Sequence, residues 1–301
     1  KDHYEEQIQY LQNPNDEKFI DYIQFPVDTV QMESPIWIDQ LGECYRLLKE
    51  SPDTRRAVCV IFDPSIDYIS GTKDVPCTNW FSFKIRNNKL DMSVVMRSND
   101  IVWGTPYNVF NFTLIQEVLA GWLNIEVGQY YHFADSLHMY ANHKSMANTI
   151  IDENFSYVET LIKYQIRDAR VSFEDWKKIE SFAEIFESQL RSNILPDIDS
   201  THVYTISEKL LSKILDIPFT FWKDYFLCWL GYGLLWHRPF EEVKSFIDNQ
   251  IFLHLDKNSG FFYHLAEIYS RKSKLVPPYM LVGDEKDRNF WDNFVYYENI
   301  K

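Results

Sequence analysis

Residues 76–143 decide how this chain reads: PCTNWFSFKI at 76–85, MRSNDIVWGTPYN at 96–108 and VGQYYHFADSLHMYANH at 127–143. Thr78–Ile85 and Leu90–Met96 read as strands, and Asn87-Asn88 between them suits a tight turn, so a hairpin is expected. From Tyr107 to Leu123, Phe110, Leu114, Ile115, Val118, Leu119 and Trp122 recur at helical spacing. Strand character returns over Val127–Phe133. Polar residues punctuate these elements. A cysteine follows a proline at the mouth of a strand, an Arg-Ser pair and an Asp end the next, and a His-x-Tyr closes the block.

Upstream, WIDQLGECYRLLKE at 37–50 carries Ile38, Leu41, Tyr45, Leu47 and Leu48 at helical spacing, and Ser51-Pro52-Asp53 stops that helix. RRAVCVIF at 55–62 is short, apolar and β-branched, which predicts a buried strand ended by Asp63-Pro64-Ser65. Residues 1–30 are acidic and polar, with a short helix expected before Asn13-Pro14. Beyond about Ser145 strand signals nearly vanish. Helix-period segments follow at 146–166, 172–192, 206–216, 219–236, 240–253 and 258–271, and Ser172 before FEDW suits an N-cap. The expected class is α/β (α+β): a sheet-and-helix domain over 1–145, then an all-helical region over 146–301. No repeat or low-complexity linker separates them, so the halves should pack together.

The 301 residues and 46% hydrophobic content suffice for a large core. A formal charge of −14 argues against a general nucleic-acid surface, so a phosphate would need a local basic pocket. Cys44, Cys59, Cys77 and Cys228 form no CxxC pair and no metal-ligand pattern, which suits a reduced, cytoplasmic setting. The most apolar run, Pro218–Trp236, carries Lys223 and Asp224 and reads as a buried helix, so no membrane partner is expected. No signal peptide is evident. The chain begins at Lys1 rather than Met, which reads as a piece of something longer.

A cysteine is a nucleophile only as its thiolate, so Cys77 needs cationic help, and Arg55-Arg56 and Arg97 are the candidates. The plainer reading of any lone cysteine is a small buried hydrophobe, and Cys44, Cys59 and Cys228 take it. Arg55 and Arg56 stand at a strand end or a subunit edge, where guanidinium forks suit an oxyanion or a surface ion pair. Arg97, Ser98, Asn99 and Asp100 crowd a guanidinium, a hydroxyl, an amide and a carboxylate beside Ile101-Val102-Trp103, as a ligand-facing loop does. Asn108, near a helix start, is a cap or an amide that offers donor and acceptor together to a base edge. His138 and Tyr140 alternate on an extended segment and face one side, either as core rings or as polar tips for sugar hydroxyls.

Together these pieces resemble the thymidylate synthase superfamily, including the phage pyrimidine hydroxymethylases, over roughly Ile38–His143. The matching elements are PDTRR at 52–56, PC at 76–77, RSND at 97–100, G-x-P-Y-N at 104–108, EVG at 126–128 and H-x-Y-x-N-H at 138–143. The resemblance implies that Cys77 adds to C6 of a pyrimidine nucleoside monophosphate, and that 5,10-methylenetetrahydrofolate supplies a one-carbon unit to C5. It implies that Arg97 and Ser98 bind the 5′-phosphate, and that Arg55 and Arg56 reach the phosphate of the partner in a homodimer. Asn108 would read the base, His138 and Tyr140 the 3′-hydroxyl, and Asp100 the folate pterin. Cytosine-using relatives carry Asp where Asn108 stands, which favours dUMP. Methylating synthases usually show His where Thr78 stands, and Cys-Thr-Asn looks like the hydroxymethylases.

The chain departs from the family at both ends. The usual arginine loop, general-base Glu helix and Tyr-Gly…Trp segment find no convincing match, with Glu5 or Glu6 the candidate for the acid. Helices stand where the family's last strands belong. Two functions follow: folate-dependent one-carbon transfer to C5 of dUMP, or a non-catalytic nucleotide sensor or scaffold whose helical half binds a partner.

Overall fold

The structure, a computed structural model, describes residues 39–68, 75–152, 168–194 and 198–273. The helix expected before Asn13-Pro14, the candidate acids Glu5 and Glu6, and the end of the 146–166 segment lie outside these residues. The elements run α1 (Gln40–Glu50), β1 (Val58–Val60), α2 (Pro64–Asp67), β2 (Thr78–Arg86), β3 (Lys89–Asp100), α3 (Gly104–Leu123), β4 (Glu126–His138) and a 3₁₀ turn (Ala141–His143). Helices follow: α4 (Lys144–Asp152), α5 (Phe173–Asn193), α6 (Ser200–Leu215), α7 (Thr220–His237), α8 (Phe240–Phe246), a π-helical turn (Ile247–Ile251), α9 (Phe252–His254) and α10 (Gly260–Ser273). The class is therefore mixed α/β with a helical C-terminal region, as the sequence predicts.

The four strands form one sheet in the order β1-β2-β3-β4. β2 and β3 are antiparallel, and Arg86 pairs with Lys89 across Asn87-Asn88. Both asparagines take positive φ, 52° and 58°, as a two-residue type I′ hairpin turn demands. Asn tolerates this left-handed region better than other residues with a Cβ. β3 and β4 are parallel, and parallel neighbours need a crossover, which α3 supplies.

Alternation along β3 buries Leu90, Met92, Val94 and Met96. They share a core with Phe81 and Phe83 of β2, Phe112, Val118, Leu119 and Trp122 of α3, and Cys44 and Leu48 of α1. Buried Gln116 of α3 donates through Nε2 to Leu90 O at 2.7 Å and Gln129 O at 3.2 Å, satisfying carbonyls where the β3–β4 register shifts. The opposite sheet face is open. Register places Val60, Trp80, Val95 and Phe133 in one row across it, and Phe133 is 58% exposed.

Residues 55–62 depart from the expected buried strand. Only Val58–Val60 pair, and only Cys59 among them is buried. The reason is position: β1 is the edge of the sheet, and just one of its faces is covered.

The α/β half and the helical half share one core. Tyr45 of α1 stacks on Phe173 of α5 at 4.6 Å, and Trp122 of α3 meets Phe173 at 5.3 Å and Trp176 at 5.7 Å. Trp176 in turn meets Trp222 of α7 at 5.3 Å, and Trp222 Nε1 donates to Ala169 O at 3.0 Å. Ser172 caps α5, its hydroxyl accepting from Asp175 N at 3.1 Å. The Pro218–Trp236 run forms most of α7, with ten buried residues spread along the helix. No helix among the described residues is long and apolar enough to cross a membrane.

Gly121 sits where the halves touch. A Cβ there would lie 2.6 Å from Val171 O and 2.7 Å from Val171 N, both backbone atoms. Gly→Ala in a helix gains about 1 kcal/mol in propensity, but overpacking against backbone costs about 1–3 kcal/mol. Gly121→Ala should therefore lower stability by up to about 2 kcal/mol, read as an earlier urea midpoint, and should loosen both halves together.

Candidate functional site

The topology gathers one end of the sheet. β2 runs antiparallel to β3, so its start lies beside the end of β3. β4 runs parallel to β3, so its end arrives there too, with Ser98 opposite Ser136 and Asp100 opposite His138. The N-terminus of α3 opens at the same place. Ligands in open α/β sheets lie outside the carboxyl ends of parallel strands, where β3 and β4 end.

Cys77 precedes β2. It is the exposed one of the four cysteines, and Cys44, Cys59 and Cys228 are buried. Burial pushes the Cys228 thiol up to about 12, with Asp224 adding to the effect, so that sulfur is inert. Arg97 lies beside Cys77, with Nη2 3.8 Å from Sγ. Arg97 is held by carbonyls of the strand mouth: Nε donates to Pro76 O at 2.9 Å and Nη2 to Val75 O at 2.8 Å. Arg97 N donates to Cys77 O at 2.9 Å, so cysteine and guanidinium are fixed to one another through backbone. With five N–H groups, the fork retains donors for an incoming anion.

Asp100 anchors the start of α3. Its Oδ2 accepts from Trp103 N at 2.7 Å and Gly104 N at 3.3 Å. The Trp103 amide, with help from its neighbours and His143, holds the carboxyl below the usual carboxylate value. Its Oδ1 lies 3.9 Å from His143 Nδ1, and both atoms are buried without a hydrogen-bond partner. His138 Nδ1 donates to Ser136 O at 3.2 Å, which leaves Nε2 for another partner. His138 and Tyr140 meet edge to face at 5.0 Å, on one side as the alternation predicts.

Asn108, on the first turns of α3, belongs to a chain of four polar side chains. Its Nδ2 donates to Asn99 Oδ1 at 3.0 Å, and Asn99 Nδ2 meets His132 Nε2 at 2.9 Å. His132 Nδ1 meets Tyr130 Oη at 2.7 Å. Asn99 is 3% exposed. Burial lowers the His132 pKa below its ordinary value and pushes Tyr130 up to about 12, so both stay neutral. Gly104 makes room: a Cβ there would lie 2.7 Å from Asn99 Oδ1. The sequence reading placed the Asn99 amide in a ligand-facing loop without a role of its own, and missed His132 and Tyr130 as site residues. The available signal was a Tyr and a His at alternate positions of a strand, on the parity that faces inward.

Arg55 and Arg56 are not brought to Cys77 within the chain. Phe83 N donates to Ala57 O at 2.9 Å, so the two arginines flank the far half of β2. They lie roughly 20 Å from the strand mouth at about 3.3 Å per residue. Both are exposed, and neither makes an ion pair among the described residues.

Comparison with known proteins agrees with this geometry. The family model described as thymidylate synthase matches residues 4–187, more than half of the chain and beyond both ends of the Ile38–His143 likeness. The chain belongs to the thymidylate synthase family. It is 52% identical over 105 residues to the deoxyuridylate hydroxymethyltransferase of Bacillus phage SP01, covering 34% of this chain and 27% of that protein. It is 32% identical over 105 residues to the thymidylate synthase of Mycoplasma mobile, covering 35% of this chain and 36% of that one. The matched stretch thus spans about a quarter to a third of the curated relatives.

The lowered His132 pKa has a sign. The unfolded ring takes its proton near pH 6.5 and the folded ring only at lower pH. This site's contribution to stability is therefore whole above about pH 6.5 and is lost as pH falls below it. Thermal melts from pH 7.5 to pH 5 should show that loss, and His132→Gln should flatten the slope.

Proposed function

We propose that this chain transfers a one-carbon unit to C5 of dUMP, with Cys77 as the nucleophile. The observation that carries the reading is the exposed Cys77 sulfur, 3.8 Å from the Arg97 guanidinium. It stands at the sheet end where Asn108, His138 and Tyr140 also gather. Cys77 Sγ bonds to C6 of the base, and the electron pair of the C5=C6 bond moves to C5 and the neighbouring carbonyl, making C5 nucleophilic. Arg97 keeps a positive charge beside the sulfur, whose thiolate is the attacking form. Arg97 and Ser98 bind the 5′-phosphate, Asn108 reads the base, and His138 Nε2 and the Tyr140 hydroxyl hold the 3′-hydroxyl.

The cofactor that suits this chemistry is 5,10-methylenetetrahydrofolate, which supplies a one-carbon unit at the oxidation level of formaldehyde. The donor set fits a pterin. Asp100 Oδ1 and His143 Nδ1 are buried and unpartnered, and each such atom costs on the order of 1–3 kcal/mol until it is satisfied. Asp100 would hold the ring. Thr78-Asn79 after the cysteine, and the likeness to a deoxyuridylate hydroxymethyltransferase, favour water as the group that completes the product.

The working unit is a homodimer of cytoplasmic chains. Its supports are the open apolar row Val60-Trp80-Val95-Phe133 and the exposed Arg55 and Arg56, too far from their own Cys77 to serve it. Residues 1–145 carry the nucleotide chemistry, and 146–301 are a second domain whose described helices pack on the first.

Tritium release from [5-³H]dUMP in the presence of 5,10-methylenetetrahydrofolate tests the reaction. Release should fall by on the order of 10³-fold or more in Cys77→Ser, and the mass of the wild-type product separates hydroxymethyl from methyl. Tight dUMP binding with no release from the wild-type dimer would leave the sensor or scaffold reading instead. Phe133→Asp, which puts a charge at the β4 end of the open apolar row, should convert the dimer to monomer in sedimentation velocity and abolish release.

A further inference from the structure

We infer that Asn99, His132 and Tyr130 select uracil over cytosine by holding the Asn108 amide in one of its two orientations; this rests on the proposed dUMP site. The two bases differ on the edge that an amide reads. Uracil presents an acceptor at O4 and a donor at N3–H, and cytosine presents a donor at its 4-amino group and an acceptor at N3. An Asn amide turned one way matches the first pattern, and turned through 180° it matches the second. An Asn at this position is therefore no selector on its own. Something has to fix which end is nitrogen.

The chain behind Asn108 does so. Asn108 Nδ2 donates to Asn99 Oδ1 at 3.0 Å and lies 3.5 Å from Met96 Sδ. Both neighbours are acceptors, and a thioether sulfur is never a donor. A reversed amide would set its oxygen against the sulfur lone pairs and against Asn99 Oδ1. Asn99 is held in turn, because its Nδ2 meets His132 Nε2 at 2.9 Å. That nitrogen accepts when the ring proton is on Nδ1, which then donates to Tyr130 Oη at 2.7 Å. The whole chain could reverse only with Tyr130 donating, His132 protonated at Nε2, and both amides turned. Met96 makes the two directions unequal. In the direction seen, Asn108 Oδ1 accepts no hydrogen bond among the described residues. It and the N–H whose resting partner is only the weak thioether acceptor Met96 Sδ form the donor–acceptor pair that uracil matches.

Asn99 and His132 are thus positioning residues, and they touch the base only through Asn108. Gly104 belongs to the device, since a Cβ there would press on Asn99 Oδ1 at 2.7 Å.

Calorimetric titration of the full chain with dUMP and with dCMP tests the inference. In Asn99→Ala the ratio of dCMP to dUMP dissociation constants should fall at least tenfold from wild type, about 1.4 kcal/mol. Asn99→Asp keeps an acceptor toward Asn108 and should retain the ratio. A purely structural role would weaken both nucleotides together in both variants. His132→Phe removes the acceptor that orients Asn99 and should also relax the ratio, which covers the case of an unfolded Asn99→Ala. An unchanged ratio in Asn99→Ala or His132→Phe overturns the inference and leaves the dUMP reading standing, as does an equal loss of selectivity in Asn99→Asp. Failure of the wild-type chain to bind either nucleotide overturns the reading beneath it and the inference with it.

Discussion

The parallel pairing of β3 with β4 is the constraint on which the rest depends. Parallel neighbours cannot be joined by a tight turn, so α3 has to cross the sheet between them. That crossing fixes three things together. It covers one sheet face with Phe112, Val118, Leu119 and Trp122. It delivers the end of β4 to the end of β3, so that Asp100 stands opposite His138. It also starts a helix at that same end, where Asp100 accepts the first amides and Asn108 hangs over Asn99. The antiparallel hairpin then adds Cys77 to the group without any further long-range contact.

Electrostatics in the site is local. The chain carries a formal charge of −14, and the positive charge at the strand mouth comes from one guanidinium fork rather than from a basic surface. The Arg97 fork is tied to two backbone carbonyls and the cysteine sulfur. The chain of four side chains that starts at Asn108 is neutral, and burial keeps it so by lowering His132 and raising Tyr130. The positive charge at the strand mouth and the neutral amide network at the start of the helix thus belong to different residues.

Much of the fold could be read from sequence because its signals are local. Asn87-Asn88 marked a turn that needs positive φ at both positions, and Ser172 marked a cap that the structure shows. The helical stripe of α3 and the polar ends of the strands were equally plain. What escaped was non-local. The 55–62 run looked buried by composition, but burial depends on whether a strand lies inside a sheet or at its edge. Asn99 and His132 are 33 residues apart in sequence and meet only once β3 and β4 have paired. The remoteness of Arg55 and Arg56 from Cys77 likewise follows from strand direction, which composition does not encode.

The Asn87-Asn88 turn has a consequence for how the molecule assembles. Loop closure grows harder with sequence separation, and local pairings form before distant ones. Thr78 finds Met96 within a hairpin whose turn is already biased to the required hand, whereas Lys89 must wait for Glu126 across the whole of α3. Cys77 and the Arg97 guanidinium are therefore neighbours early, on a ribbon still open on one edge. The chain from Asn108 to Tyr130, which needs β3, α3 and β4 together, closes last. The two clusters at this end of the sheet thus arise at separate moments in the life of one polypeptide.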